Sequence, residues 1–182
     1  AFLQTSFQYH FFYIEQSQLF LFSESYIGNK LLLPGGFSML VAEFLVQFFI
    51  RPYIGALVTA ALLTGVGICT AGIVKRVASA SGLFVLYVLP MLALLFVHFD
   101  FNYRVQGTVC YLMMTVLLCG YMRIRNDLYR LVSGWLLVPS LFWLGGSIAV
   151  LFAGMVCLFE GLRKTPKWYI SLIGVTEVLL LG

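Results

Sequence analysis

Residues 53–74 form an unbroken run of 22 residues without a charge, closed by Lys75-Arg76. As a helix this run is about 33 Å long at 1.5 Å per residue, the thickness of a bilayer's hydrocarbon core. Further apolar runs follow at 82–99, 105–122 and 131–162, each bounded by short polar or basic turns. The runs are continuous and do not alternate with period two, which predicts helices and not a barrel. Charged residues make up only 10% of the chain and hydrophobic residues 62%. Such a chain has too little polar surface to cover itself in water, so the lipid bilayer is the expected partner. The expected fold class is all-α: a polytopic transmembrane helical bundle. It is read as one transmembrane region spanning 1–182, with 1–14 the end of a first span and 168–182 the start of a further one. Both terminal runs are too short to span, so the chain is expected to be a fragment of a longer protein.

The charge pattern sets an orientation. Lys75, Arg76, Arg123, Arg125, Arg130, Arg163, Lys164 and Lys167 fall on one side; Lys30, Arg51 and Arg104 fall on the other. Basic residues concentrate on the cytoplasmic side, so the 15–51 loop is expected outside the cytoplasm. The same rule accounts for the net charge of +4 without nucleic acid as a partner. Cys69, Cys110, Cys119 and Cys157 all lie inside apolar runs and are expected as free thiols.

Two segments do not read as ordinary spans. In the 15–51 loop, Pro34-Gly35-Gly36 breaks the chain, and 37–50 is an apolar helix ended by Pro52, with Ser38 as an N-cap. Its polar residues Glu43, Gln47 and Arg51 share one stripe, which predicts interfacial helices in this first outer loop. Residues 131–162 carry basic residues on both flanks and Gly145-Gly146 near the middle. This predicts a short or re-entrant hairpin that enters and returns. Small residues at four-residue spacing, such as Ala61/Gly65 and Gly67/Ala71, predict close helix packing along 53–74.

No GxxxxGK[ST], HExxH, CxxC or GxSxG pattern occurs, which leaves nucleotide-driven and zinc-hydrolase chemistry without a motif. Polar residues gather instead at the outer interface: His10, Glu15, Glu24, Glu43, His98, Asp100 and Arg104. Along 97–105, His98, Asp100, Asn102 and Arg104 alternate with apolar residues, and in an extended chain their side chains would point one way. Glu15 and Asp100 are expected as neighbours across the outer mouth, with His98 and Arg104 between them; such a set can hold a divalent metal or act as general base. Glu177 lies inside an apparent span, where an acid usually faces a cavity or a partner. No cofactor is indicated by the sequence.

The runs EQSQLFLF (15–22), LPGGFSMLVAEFLVQFF (33–49), IGALVTAALL (54–63), RVQGTVCYLMM (104–114) and LFWLGGSIAVLF (141–152) resemble an uncharacterised family of bacterial multi-pass inner-membrane proteins. That resemblance implies a bacterial inner-membrane location and carries no activity. The layout also resembles C-type membrane glycosyltransferases, which use lipid-linked sugar donors. It implies a catalytic acid just after the first span, where Glu15 stands, and a further acid in the second outer loop, where Asp100 stands. By the same resemblance His98 orients a metal or the acceptor, and Arg104 meets the donor phosphate. Glu15-Gln16 replaces that family's acidic pair. The competing expectation is a transporter or non-enzymatic scaffold, with Gly145-Gly146 as a broken-helix binding site.

Overall fold

A computed structural model describes residues 13–14, 20–77, 84–100 and 102–163. Among these the chain is all-helical. Helix α1 spans Glu24–Leu31 and α2 Gly36–Val46, continued by a 3-10 turn over Gln47–Ile50. Helix α3 spans Pro52–Val77, α4 Phe84–Val97, α5 Gln106–Tyr121, α6 Asp127–Gly145 and α7 Ile148–Leu162. The expectations for 1–12, Glu15, Lys164, Lys167, 168–182 and Glu177 lie outside the described residues.

Close contacts fix how the long helices run. A Cβ on Gly65 would sit 3.2 Å from Leu112, and one on Gly72 would sit 3.2 Å from Cys119 Sγ. The two positions advance together, so α3 and α5 are parallel. Gly67 meets Met91, and Thr70 Oγ1 donates to the Tyr87 carbonyl at 3.3 Å, so α4 returns antiparallel. The small residues of α3 therefore sit where α4 and α5 approach, as their spacing predicts. Thr59 and Thr70 turn their hydroxyls back onto the carbonyls of Gly55 and Val66, which hides two polar groups in an apolar helix. Pro90 has no amide to give its own helix; Thr70 reaches the backbone one turn from it.

Helices α6 and α7 form the expected hairpin, closed at Gly146, which has φ +70°. The arms of 19 and 15 residues are about 28 and 22 Å long. The tip reaches the level of the α5 N-terminal half, where Cys110 Sγ lies 3.5 Å from the Gly145 carbonyl. The far end returns to the α5 C-terminus, where Tyr121 meets Glu160. The hairpin thus runs beside most of α5 as a short hairpin and does not stop half-way. Its core is shared with α5: Met114, Leu118 and Tyr121 against Val138, Leu141, Phe152 and Val156.

Helix α2 forms where expected, but Gly35, at φ +78°, is its N-cap. Ser38 lies in the first turn and donates to the Gly35 carbonyl at 2.7 Å. Of the polar stripe of α2, Arg51 is exposed, but Glu43 and Gln47 are turned to other parts of the chain. Glu43 is buried under α1, where it accepts from Lys30 Nζ at 2.9 Å and from the Tyr26 hydroxyl at 2.5 Å. Gln47 donates to the Phe20 carbonyl at 3.2 Å. Opposite that stripe, Ala42, Val46 and Phe49 pack on Val105 and Val109 of the α5 region.

Two helices, Tyr53–Val77 and Asp127–Gly145, are long and apolar enough to cross a membrane. Only 28% and 22% of their apolar windows are buried. Leu57, Ile68, Leu89, Phe96, Leu136 and Leu158 are among the large apolar side chains left exposed. All four cysteines are free.

Candidate functional site

Two glycine breaks meet at one end of the bundle. The Gly35 amide donates to the Trp143 carbonyl at 2.8 Å, and a Cβ on Gly35 would lie 3.3 Å from the Gly146 nitrogen. Both residues have positive φ, a region open to glycine at little cost. Backbone rests on backbone, with no side chain between. Gln106, at the start of α5, spans this contact: its Nε2 lies 3.4 Å from the Gly35 carbonyl and 3.3 Å from Ser38 Oγ.

Beside the glycine contact opens a cleft of ≈730 Å³. One wall is the α4–α5 turn, with Asp100, Asn102, Tyr103 and Arg104; the other is the hairpin tip, with Gly145, Ser147 and Ile148. Gln106, Gly107 and Cys110 lie on the α5 side. This volume is in the range that takes small-molecule ligands.

The structure brings Asp100 and Arg104 to one cleft, and they form no ion pair with each other. The stretch around them is not extended. Residues 98–100 and 102 are turns and bends, and the Asp100 carboxylate accepts the Asn102 amide at 2.9 Å, which caps the turn. The four polar residues consequently diverge: Asp100, Asn102 and Arg104 are exposed, while His98 is buried. The alternation misleads because the chain must reverse between two antiparallel helices in a few residues, which a strand cannot do.

His98 does not line the cleft; it lies behind it. Its Nε2 is 2.9 Å from Thr108 Oγ1, which is 3.0 Å from the Tyr103 hydroxyl. The His98 and Tyr103 rings meet edge to face at 5.0 Å. Tyr103 faces the cleft, so hydroxyl, hydroxyl and imidazole form a relay running inward from it. Burial pushes the Tyr103 phenol above its ordinary pKa, so it stays protonated at neutral pH. Glu15 lies outside the described residues. The described residues contain no group of three His, Cys, Asp or Glu able to hold a metal.

The sequence reading missed Tyr103, Gln106, Cys110 and Ser147 as cleft residues. It also missed a buried charged group at the far end. Arg130 is 2% exposed and pairs with Glu160 through Nε at 2.5 Å and Nη2 at 3.1 Å. The Tyr121 hydroxyl donates to the same carboxylate at 2.8 Å, and Asp127 lies 2.8 Å from Arg130. A sequence signal for this pair exists: Arg130 lies fifteen residues before Gly145 and Glu160 fifteen after it. A hairpin with its tip there sets them level.

These features define a class: an all-helical, apolar bundle with a polar cleft at one end and a buried ion pair at the other. The chain belongs to a family of unknown function, DUF6057, whose model matches residues 1–182. No curated protein and no solved structure matches it.

Proposed function

We propose that this is a multi-pass protein of the bacterial inner membrane, its 15–51 loop outside the cytoplasm, whose cleft takes a lipid-linked sugar donor and transfers the sugar. The observation that carries the reading is the cleft beside the glycine contact, where a carboxylate, a guanidinium and a phenol stand on one wall. Support for the membrane comes from apolar helices whose outer faces stay uncovered.

In this reading Arg104 receives the donor phosphate. The bond from the anomeric carbon to the phosphate oxygen breaks, the phosphate leaves with that electron pair, and an acceptor hydroxyl bonds to the carbon. The acceptor proton passes to a carboxylate, with Glu15 as base and Asp100 orienting the acceptor. His98 acts through Thr108 and Tyr103 and does not touch the substrate. A transporter is the second reading, favoured by Gly145 and Ser147, at a helix break that lines the same cleft.

The test is turnover of a lipid-linked sugar by the full-length protein in membranes. Sugar release that is lost in Asp100→Asn and Arg104→Gln, at unchanged membrane abundance, is the expected result. Exchange of labelled substrate across the membrane without sugar release would replace this reading with the transporter. Activity indifferent to both substitutions would remove the cleft from either account.

A further inference from the structure

At the bundle end opposite the glycine contact, Arg76, Arg123, Arg125 and Arg163 line one cavity of ≈520 Å³, together with Met122 and Phe159. The four come from three places in the chain: the end of α3, the α5–α6 turn and the end of α7. Their convergence is a product of folding and not of a local run of charge.

Two of the four are held in place. Arg76 Nη1 donates to the Cys119 carbonyl at 2.7 Å, and the Arg163 guanidinium lies 5.7 Å from the centre of the Phe159 ring. The cavity has an apolar floor and a cationic rim.

Among the described residues these arginines have no counter-charge. The acids described at this end are Asp127 and Glu160, and both are ion-paired with Arg130. None of the four cavity arginines pairs with a described carboxylate. Four cations lining one cavity repel each other, and an anion bound among them relieves that repulsion. Guanidinium forks match phosphate oxygens two at a time.

We propose that this cavity is a binding site for a phosphate-bearing anion, and that it is separate from the cleft at the glycine end. The phosphate belongs either to an anionic lipid headgroup, with Met122 and Phe159 against its glycerol and acyl region, or to a soluble phosphate compound. A basic pocket at the bilayer surface takes a headgroup by the same electrostatics that fill it with free phosphate.

The test uses the purified full-length protein. One arm measures binding of fluorescent phosphatidylglycerol in phosphatidylcholine bilayers; the other measures binding of inorganic pyrophosphate in detergent. Each guanidinium removed should weaken binding about fivefold, so Arg125→Gln loses about fivefold and Arg125→Gln with Arg163→Gln about thirtyfold. Arg125 is exposed and makes no side-chain hydrogen bond or ion pair among the described residues, and the thermal unfolding of its variant should match the parent. Lys75→Gln removes an exposed charge at the same end, outside the cavity, and should leave binding unchanged. Binding of the lipid but not pyrophosphate assigns the site to a headgroup; binding of pyrophosphate assigns it to soluble phosphate. If neither probe binds, or if Lys75→Gln loses as much as Arg125→Gln, the cavity is not a site and only diffuse surface charge remains.

Discussion

Glu43 and Glu160 are each held by a tyrosine and a cation, at two places in the bundle. Tyr26 and Lys30 meet Glu43 where α1 covers α2; Tyr121 and Arg130 meet Glu160 where α5, α6 and α7 converge. Both carboxylates are 8% exposed, but the cations differ: Lys30 is 19% exposed and Arg130 only 2%. Lysine is a point charge on a flexible stem, and its head can hydrate if the pair breaks. Arginine at full burial cannot. Its fork takes both oxygens of Glu160, and its remaining nitrogen, Nη1, has no hydrogen-bond partner among the described residues. A tyrosine, a carboxylate and a cation therefore form an adjustable clasp between α1 and α2 in one place and a fixed tie between three long helices in the other.

The comparison breaks most sharply on topology. In a background with the four native cysteines replaced by alanine, a cysteine at Asn29, beside the first triad, should react with an impermeant thiol reagent on intact spheroplasts. A cysteine at Arg125, near the second, should react only after lysis. Equal labelling of both would put the two triads on one side of the membrane and remove the orientation drawn from the basic residues.

Next in size is the fixed tie. Arg130→Leu leaves Glu160 buried without its cation and should cost about 3–5 kcal/mol. Replacing the pair together, Arg130→Met with Glu160→Leu, should cost far less, because no charge is stranded. Unfolding of the detergent-solubilised protein measures both, and a single variant no worse than the double would mean water reaches the pair. The clasp should yield least. Lys30→Met should cost about 1 kcal/mol or less, since Glu43 keeps Tyr26 and the lysine it loses is itself partly exposed. A loss as large as that of Arg130→Leu would show that α1 seals Glu43 as tightly as the bundle seals Glu160.

How much of this was legible in the sequence differs between the two ends. Long-range apolar pattern is a robust signal, so the helices, the hairpin over 131–162 and the breaks at Gly35 and Gly145-Gly146 could be read directly. Small residues on α3 likewise announced close packing, because a missing side chain constrains both partners at once. Polar residues were harder. Glu43, Gln47 and Arg51 share a stripe, and the pattern says that the stripe is polar but not what faces it. Only the docking of α1 shows that Glu43 is covered, while Arg51 stays exposed. Arg130 looked like a loop charge because a count of basic residues weighs each one alike, whether buried or solvated. His98 and Asp100 looked like partners because alternation ignores the chain reversal that separates them. Asp100 and Arg104 line one cleft, yet Tyr103 and Ser147, which line it with them, carry no pattern of their own.

The backbone contact between Gly35 and Gly146 has a consequence for biogenesis. The α1–α2 segment leaves the ribosome before the hairpin does, and chains fold from the N-terminal side as they are made. Yet the floor on which Gly35 rests is the hairpin tip, one of the last parts of the described chain to be synthesised. Until that tip arrives, the Gly35 amide lacks the Trp143 carbonyl that later receives it, and α2 waits at the surface with its packing half complete. Docking of α2 is therefore completed only when the hairpin tip arrives, and a chain arrested before Gly145 would hold α2 on α5 without that tip.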